Sequence, residues 1–135
     1  MLILFFLLSC TQCLYADDVI FIMHKQVKDP IKPSIIKKIY LGKVSRWNDN
    51  QRVRFYTFDS DDTTETFTKK YLSKSKRQFN KYWKRQVFTG KGNIPKSIKS
   101  VEEAIKIVSK TKGAIVYLPE QKIDNETIRI VSITN

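Results

Sequence analysis

The alternation of apolar and polar positions divides the chain into segments of two periods. Val19 to Met23 is an unbroken apolar run rich in β-branched residues, the pattern of an inner strand buried on both faces. Pro30 and Pro33 then lead into Ile35, Ile36, Ile39 and Tyr40 at helical spacing, with Gly42 as a left-handed stop. Trp47 and the polar run Asn48 to Asn50 predict a loop. Arg52 to Phe58 predicts a strand with Val53, Phe55 and Thr57 on one face. Asp59 to Asp62 opens the next helix, where Asp62 and Glu65 have the spacing of a capping box and Phe67 and Tyr71 pair at i and i+4.

The second half repeats the scheme. Phe79, Tyr82, Trp83 and Val87 make one helical stripe, followed by the turn Thr89-Gly90-Lys91-Gly92-Asn93 and Pro95. Ser100 with Glu103 caps a helix whose inner face is Val101, Ala104, Ile105 and Val108. Lys110 and Lys112 suit its carboxyl end, and Gly113 terminates it. Ala114 to Leu118 is a second buried strand. Thr127 to Ile133 is the last, with Ile128, Ile130 and Ser132 alternating against Arg129, Val131 and Ile133. The order β, α, β, α, α, α, β, β predicts an α/β fold, a mixed β-sheet flanked by helices.

Composition refines this picture. At 135 residues, 41% hydrophobic and 28% charged, the chain is a single folded domain. Its net charge of +12 favours anionic partners: phosphate, nucleic acid, acidic lipid or a polyanionic cell-wall polymer. Leu2 to Leu8 is too short to span a bilayer and reads as the apolar part of a secretory signal, although no basic residue precedes it. Residues 1–16 are then a signal peptide cut after Ala16, leaving 17–135 as the domain. In the competing reading the leader ends before Cys10, which becomes a lipidated first residue. Cys10-Thr11-Gln12-Cys13 has the spacing of a redox pair but sits in the leader, and the rest of the chain holds no cysteine.

Several chemistries find no support. His24 is the single histidine, at a strand end, with no second ligand type clustered near it. The glycine turn at Gly90 and Gly92 puts Lys91 between its glycines and is followed by Pro95, which fails the nucleotide-binding loop. The basic stretch Lys69 to Arg85 is interleaved with Tyr71, Phe79, Tyr82 and Trp83. Helical periodicity turns those aromatics inward, so no base-stacking platform forms and nucleic acid is disfavoured. No catalytic pair, metal or cofactor is expected, and the chain reads as a non-enzyme.

Taken together, these residues resemble the phosphate-binding branch of the type II periplasmic binding proteins, and most closely its short, single-lobe, phosphate ABC transporter substrate-binding-like members. The resemblance is carried by Ile36 to Trp47, Asp59 to Phe67, Tyr82-Trp83, Phe88 to Asn93 and Thr111 to Tyr117. It implies one lobe of that fold, a periplasmic or cell-envelope location, and phosphate or another small anion as ligand. It also implies a transporter or other envelope protein as partner. In the family, the anion site resembles an arginine, then an aspartate, then Ser-Gly-Thr-Thr at a helix start. Here the matching positions are Thr57, Asp59, Asp61, Asp62, Thr63 and Thr64, so the arginine, serine and glycine are lost and two carboxylates gained. Ser60, Thr63 and Thr64 remain as anion donors, and a weakened site is expected. Val116 replaces a usual glycine in the last motif.

Two readings follow. In the first the chain is an exported, non-catalytic substrate-binding or accessory protein with altered anion affinity. In the second it is an envelope interaction module that has lost its ligand and turns its basic face to anionic lipid or cell-wall polymer. A membrane contact otherwise enters only through lipidation at Cys10.

Overall fold

A computed structural model describes residues 18–133. The expected leader, with its alternative ends at Ala16 and Cys10, lies outside these residues. Within them run β1 (Val19–His24), α1 (Pro33–Tyr40), β2 (Arg54–Phe58), α2 (Asp61–Phe67), a π-helical turn (Thr68–Leu72) and α3 (Lys76–Phe88). Then come β3 (Ser97–Ile98), α4 (Val101–Lys110), β4 (Ala114–Pro119) and β5 (Ile128–Val131).

The five strands form one mixed sheet in the order β3-β2-β4-β1-β5. β2 runs parallel to both β3 and β4, while β1 runs antiparallel to β4 and β5. The two apolar runs, β1 and β4, are neighbours inside the sheet, and Val19 to Met23 and Ala114 to Leu118 are all buried. Helices cover both faces, which is why these strands lack polar alternation. α4 packs on β1 and β4 on one side. On the other, Phe67 and Tyr71 of the α2–π segment meet Phe21, Tyr40 and Tyr117.

Several boundaries differ from the expected ones for local reasons. β2 begins at Arg54, because Arg52 instead bridges Arg46 across the Trp47 loop. β5 covers only Ile128 to Val131, where it pairs with β1. The short strand β3 has no apolar run to announce it. The expected Asp62–Glu65 box does not form: Ser60 adopts extended backbone, and its Oγ accepts from the Thr63 N–H at 3.3 Å, so α2 starts at Asp61. The Glu65 carboxylate accepts instead from the Lys76 N–H at 3.0 Å and pairs with Lys69 at 3.2 Å. Those bonds, the backbone one foremost, hold its pKa below the ordinary 4.5. Ser100 caps α4 through the Glu103 N–H, but the Glu103 carboxylate reaches the Lys99 N–H rather than closing the box.

The α3 stripe is only partly inward. Phe79 and Trp83 are buried, and Trp83 donates to the Tyr40 carbonyl at 3.0 Å. Tyr82 is half-buried and donates to the Leu41 carbonyl at 2.6 Å, whereas Val87 is exposed. The glycine turn bends back so that Gly92 lies against the Trp83 ring.

Gly113 closes the other end of the body. Its φ is +78°, its carbonyl accepts from the buried Trp47 indole at 3.0 Å, and a Cβ added there would lie 2.1 Å from the Arg52 carbonyl oxygen. Gly90 has a similar φ of +74° but open space around it. Gly113→Ala is therefore expected to cost roughly 3 kcal/mol from strain and clash, lowering the thermal midpoint by about 10 °C. Gly90→Ala should cost only about 1 kcal/mol. Thermal melts of both variants check the contrast, and equal losses would contradict it.

Candidate functional site

The sheet leaves a cleft of about 250 Å³ beside the carboxyl end of β2 and the segment that leads into its parallel neighbour β3. One wall is the β2–α2 junction: Thr57, Phe58, Asp59, Ser60 and Thr64. The other is one edge of α3, where Lys76, Asn80 and Lys84 recur every fourth residue over the buried rings of Phe79 and Trp83. Ile94, Pro95 and Ser97 close the third side. The junction is pinned from two directions. The Asp59 N–H donates to the Ile98 carbonyl of β3 at 2.7 Å, and the Ser60 N–H donates to the Phe58 carbonyl at 2.9 Å.

The expected donors differ in their availability. Ser60 lines the cleft, with its Oγ accepting the helix-cap bond, so its hydroxyl hydrogen points to no assigned protein acceptor among the described residues. Thr64 also lines the cleft, but it is buried and doubly engaged. Its Oγ1 donates to the Phe58 carbonyl at 3.0 Å and lies 2.8 Å from the Tyr117 hydroxyl, from which it accepts. Tyr117 is itself buried, and burial pushes its pKa up. Thr63 is absent from the lining, and its N–H is taken by the cap.

The carboxylates are also arranged unequally. Asp59 stands in the cleft wall. Asp61 is outside the lining and pairs with the ammonium of Lys76, an ion pair that is largely solvent-exposed on the aspartate side. Asp62 is exposed and makes no ion pair among the described residues. Of the two cations on this edge, Lys76 is thus neutralised by its own chain and Lys84 is not. A wall of hydroxyls facing two lysines and the Asn80 amide suits a small anion with several acceptor oxygens. Among the described residues no group of His, Cys, Asp and Glu has the proximity to hold a metal ion. His24 Nδ1 accepts from the Gln26 N–H at 3.1 Å, in a local turn.

Reading the sequence located the β2–α2 wall and missed the α3 wall. The recurrence of Lys76, Asn80 and Lys84 at intervals of four was visible, but it marks a site only once β3 is known to bring Ser97 and Pro95 opposite.

No protein-family model and no curated protein matches the chain. Its fold does occur among solved structures. A protein assigned as a phosphate ABC transporter substrate-binding protein from Clostridium perfringens, solved with bound phosphate, matches 83% of this chain and 43% of its own at 17% identity, TM-score 0.58. PstS from Borrelia burgdorferi matches 76% of this chain and 40% of its own at 21% identity, TM-score 0.54. An ABC-type phosphate transport receptor from Vibrio cholerae matches 85% and 45% at 11% identity, TM-score 0.58. The chain therefore has the α/β fold of phosphate substrate-binding proteins. It spans less than half the length of each of these neighbours, the extent of a single lobe.

Removing the Thr64 hydroxyl tests the link between wall and sheet. Thr64→Val keeps the shape and strands the buried Tyr117 hydroxyl, at an expected cost of about 1–3 kcal/mol. Replacing Tyr117 by Phe as well should recover part of that loss, and denaturant unfolding of the two variants measures it. No recovery would mean that the pair contributes nothing as a unit.

Proposed function

We propose that this chain is an exported, non-catalytic binding protein that takes phosphate or a similar small oxyanion in the cleft between the β2–α2 junction and α3, and holds it weakly. The fold shared with phosphate-binding proteins supports the ligand class. The position of the cleft at the carboxyl end of the parallel strand β2 is in keeping with ligand sites of open α/β sheets. The apolar leader supports export, to the periplasm or cell envelope, and a transporter or envelope protein is the partner in keeping with such a role. In this reading Ser60 is the donor from the first wall, Lys84 and Asn80 come from the second, and Thr64 holds the wall in place. Thr63 contributes only through the cap.

The observation that carries the weakness is the Lys76–Asp61 pair. An anion in the cleft meets a lysine already neutralised, with Asp59 beside it. A carboxylate about 4 Å from a phosphate charge opposes it by roughly 1 kcal/mol in water and about 4 kcal/mol at a protein surface. Lys84 at a similar distance does no more than cancel that, leaving little net attraction.

Calorimetric titration of the full chain with phosphate tests the proposal. Binding is expected to be weak, to be lost in Lys84→Ala, and to tighten about tenfold in Asp61→Ser, which frees Lys76 (tenfold being about 1.4 kcal/mol). Tight binding that is indifferent to Asp61→Ser, or no binding by either protein, would contradict it.

A further inference from the structure

The charge of this protein is concentrated in one part of the chain. From Thr66 to Val101 there are eleven lysines and arginines and no aspartate or glutamate. The rest of the chain holds fourteen cations against all 13 acidic residues and is nearly neutral. Three of the eleven, Lys69, Lys70 and Lys76, are paired with Glu65, Asp18 and Asp61. The others make no ion pair among the described residues.

Four of them share one side of α3. At about 100° per residue, Arg77, Lys81, Lys84, Arg85 and Phe88 fall within an arc of about 100°, opposite the buried Phe79 and Trp83. The stripe is about 16 Å long. Arg77, Lys81, Lys84 and Arg85 are exposed, and Phe88, at the carboxyl end, is 93% exposed. Lys91 is folded back beside that end by its N–H bond to the Gln86 carbonyl at 2.8 Å. The inward stripe read from the sequence ended at Val87, and Phe88 one residue later points the other way.

We propose that this outer face of α3 is a docking surface for an anionic phospholipid bilayer, with Phe88 inserting at the headgroup boundary. The cations supply the charge complementarity, since each lysine or arginine close to an acidic membrane surface strengthens binding about fivefold. Phe88 decides between lipid and the other polyanions. A nucleic acid would need successive stacking rings, whereas Phe79 and Trp83 are buried and Tyr82 is half-buried with its hydroxyl bonded to the Leu41 carbonyl. A cell-wall polymer offers no apolar layer for a solitary phenyl ring, and a bilayer does. The surface is independent of the cleft apart from Lys84, which borders both.

Co-sedimentation of the full chain with vesicles tests this. Binding is expected on phosphatidylglycerol–phosphatidylcholine vesicles, absent on phosphatidylcholine alone, and weakened by salt. Phe88→Ala should lower the partition coefficient about tenfold and Phe88→Trp should retain it. Lys81→Ala with Arg85→Ala should lower it about 30-fold. All these variants should keep the wild-type melting midpoint and phosphate affinity, so failure here is distinguishable from failure of the cleft. The proposal is overturned by equal binding to neutral vesicles or by no binding at low salt. It is equally overturned if Phe88→Ala leaves the partition coefficient unchanged, which would assign the stripe to a soluble polyanion.

Discussion

The hydroxyl of Tyr117 is the point on which the candidate site depends. It sits in the buried strand β4, its ring stacks on Phe67 of α2 at 4.0 Å, and it reaches Thr64 one turn earlier on the same helix. Thr64 in turn holds the Phe58 carbonyl at the end of β2. One hydroxyl pair therefore ties the central strand, the neighbouring strand and the helix that carries Ser60. A buried hydroxyl needs its partner, so this arrangement has little freedom to relax. The cleft is as well defined as the core behind it.

That dependence also separates scaffold from ligand chemistry. Thr64 lines the cleft, yet its single proton is committed to the protein. Asp61 draws Lys76 into an internal pair. The basic character of the whole molecule is no guide to the cleft, because Arg77, Lys81 and Arg85 lie on the outer side of α3 and only Lys76 and Lys84 line the cleft. A net charge of +12 can thus coexist with a cleft in which one of two lysines is paired internally and with a strongly cationic outer face.

Much of the fold was legible because its strongest signals are periodic or conformational. The apolar runs at Val19 and Ala114 and the α1 and α4 faces all appear where the pattern puts them, as do the stops at Gly42 and Gly113. The structural neighbours share the α/β fold that the motifs imply. The misses have physical causes. Capping-box spacing at Asp62 was outcompeted by Ser60, whose side chain reaches the Thr63 amide from a better position. The two-residue strand β3 carries no period to read, and without it the wall formed by Lys76, Asn80 and Lys84 had no opposite side. Phe88, one residue past the stripe, falls on the solvent side by helical phase.

The central claim is that the anion enters this cleft and not the cationic stripe. Amide shifts of the isotopically labelled full chain during a phosphate titration test it most directly. Asp59, Ser60, Asn80, Lys84 and Ser97 are expected to shift together along one saturating curve. Shifts confined to Arg77, Lys81, Arg85 and Lys91, without saturation, would contradict it.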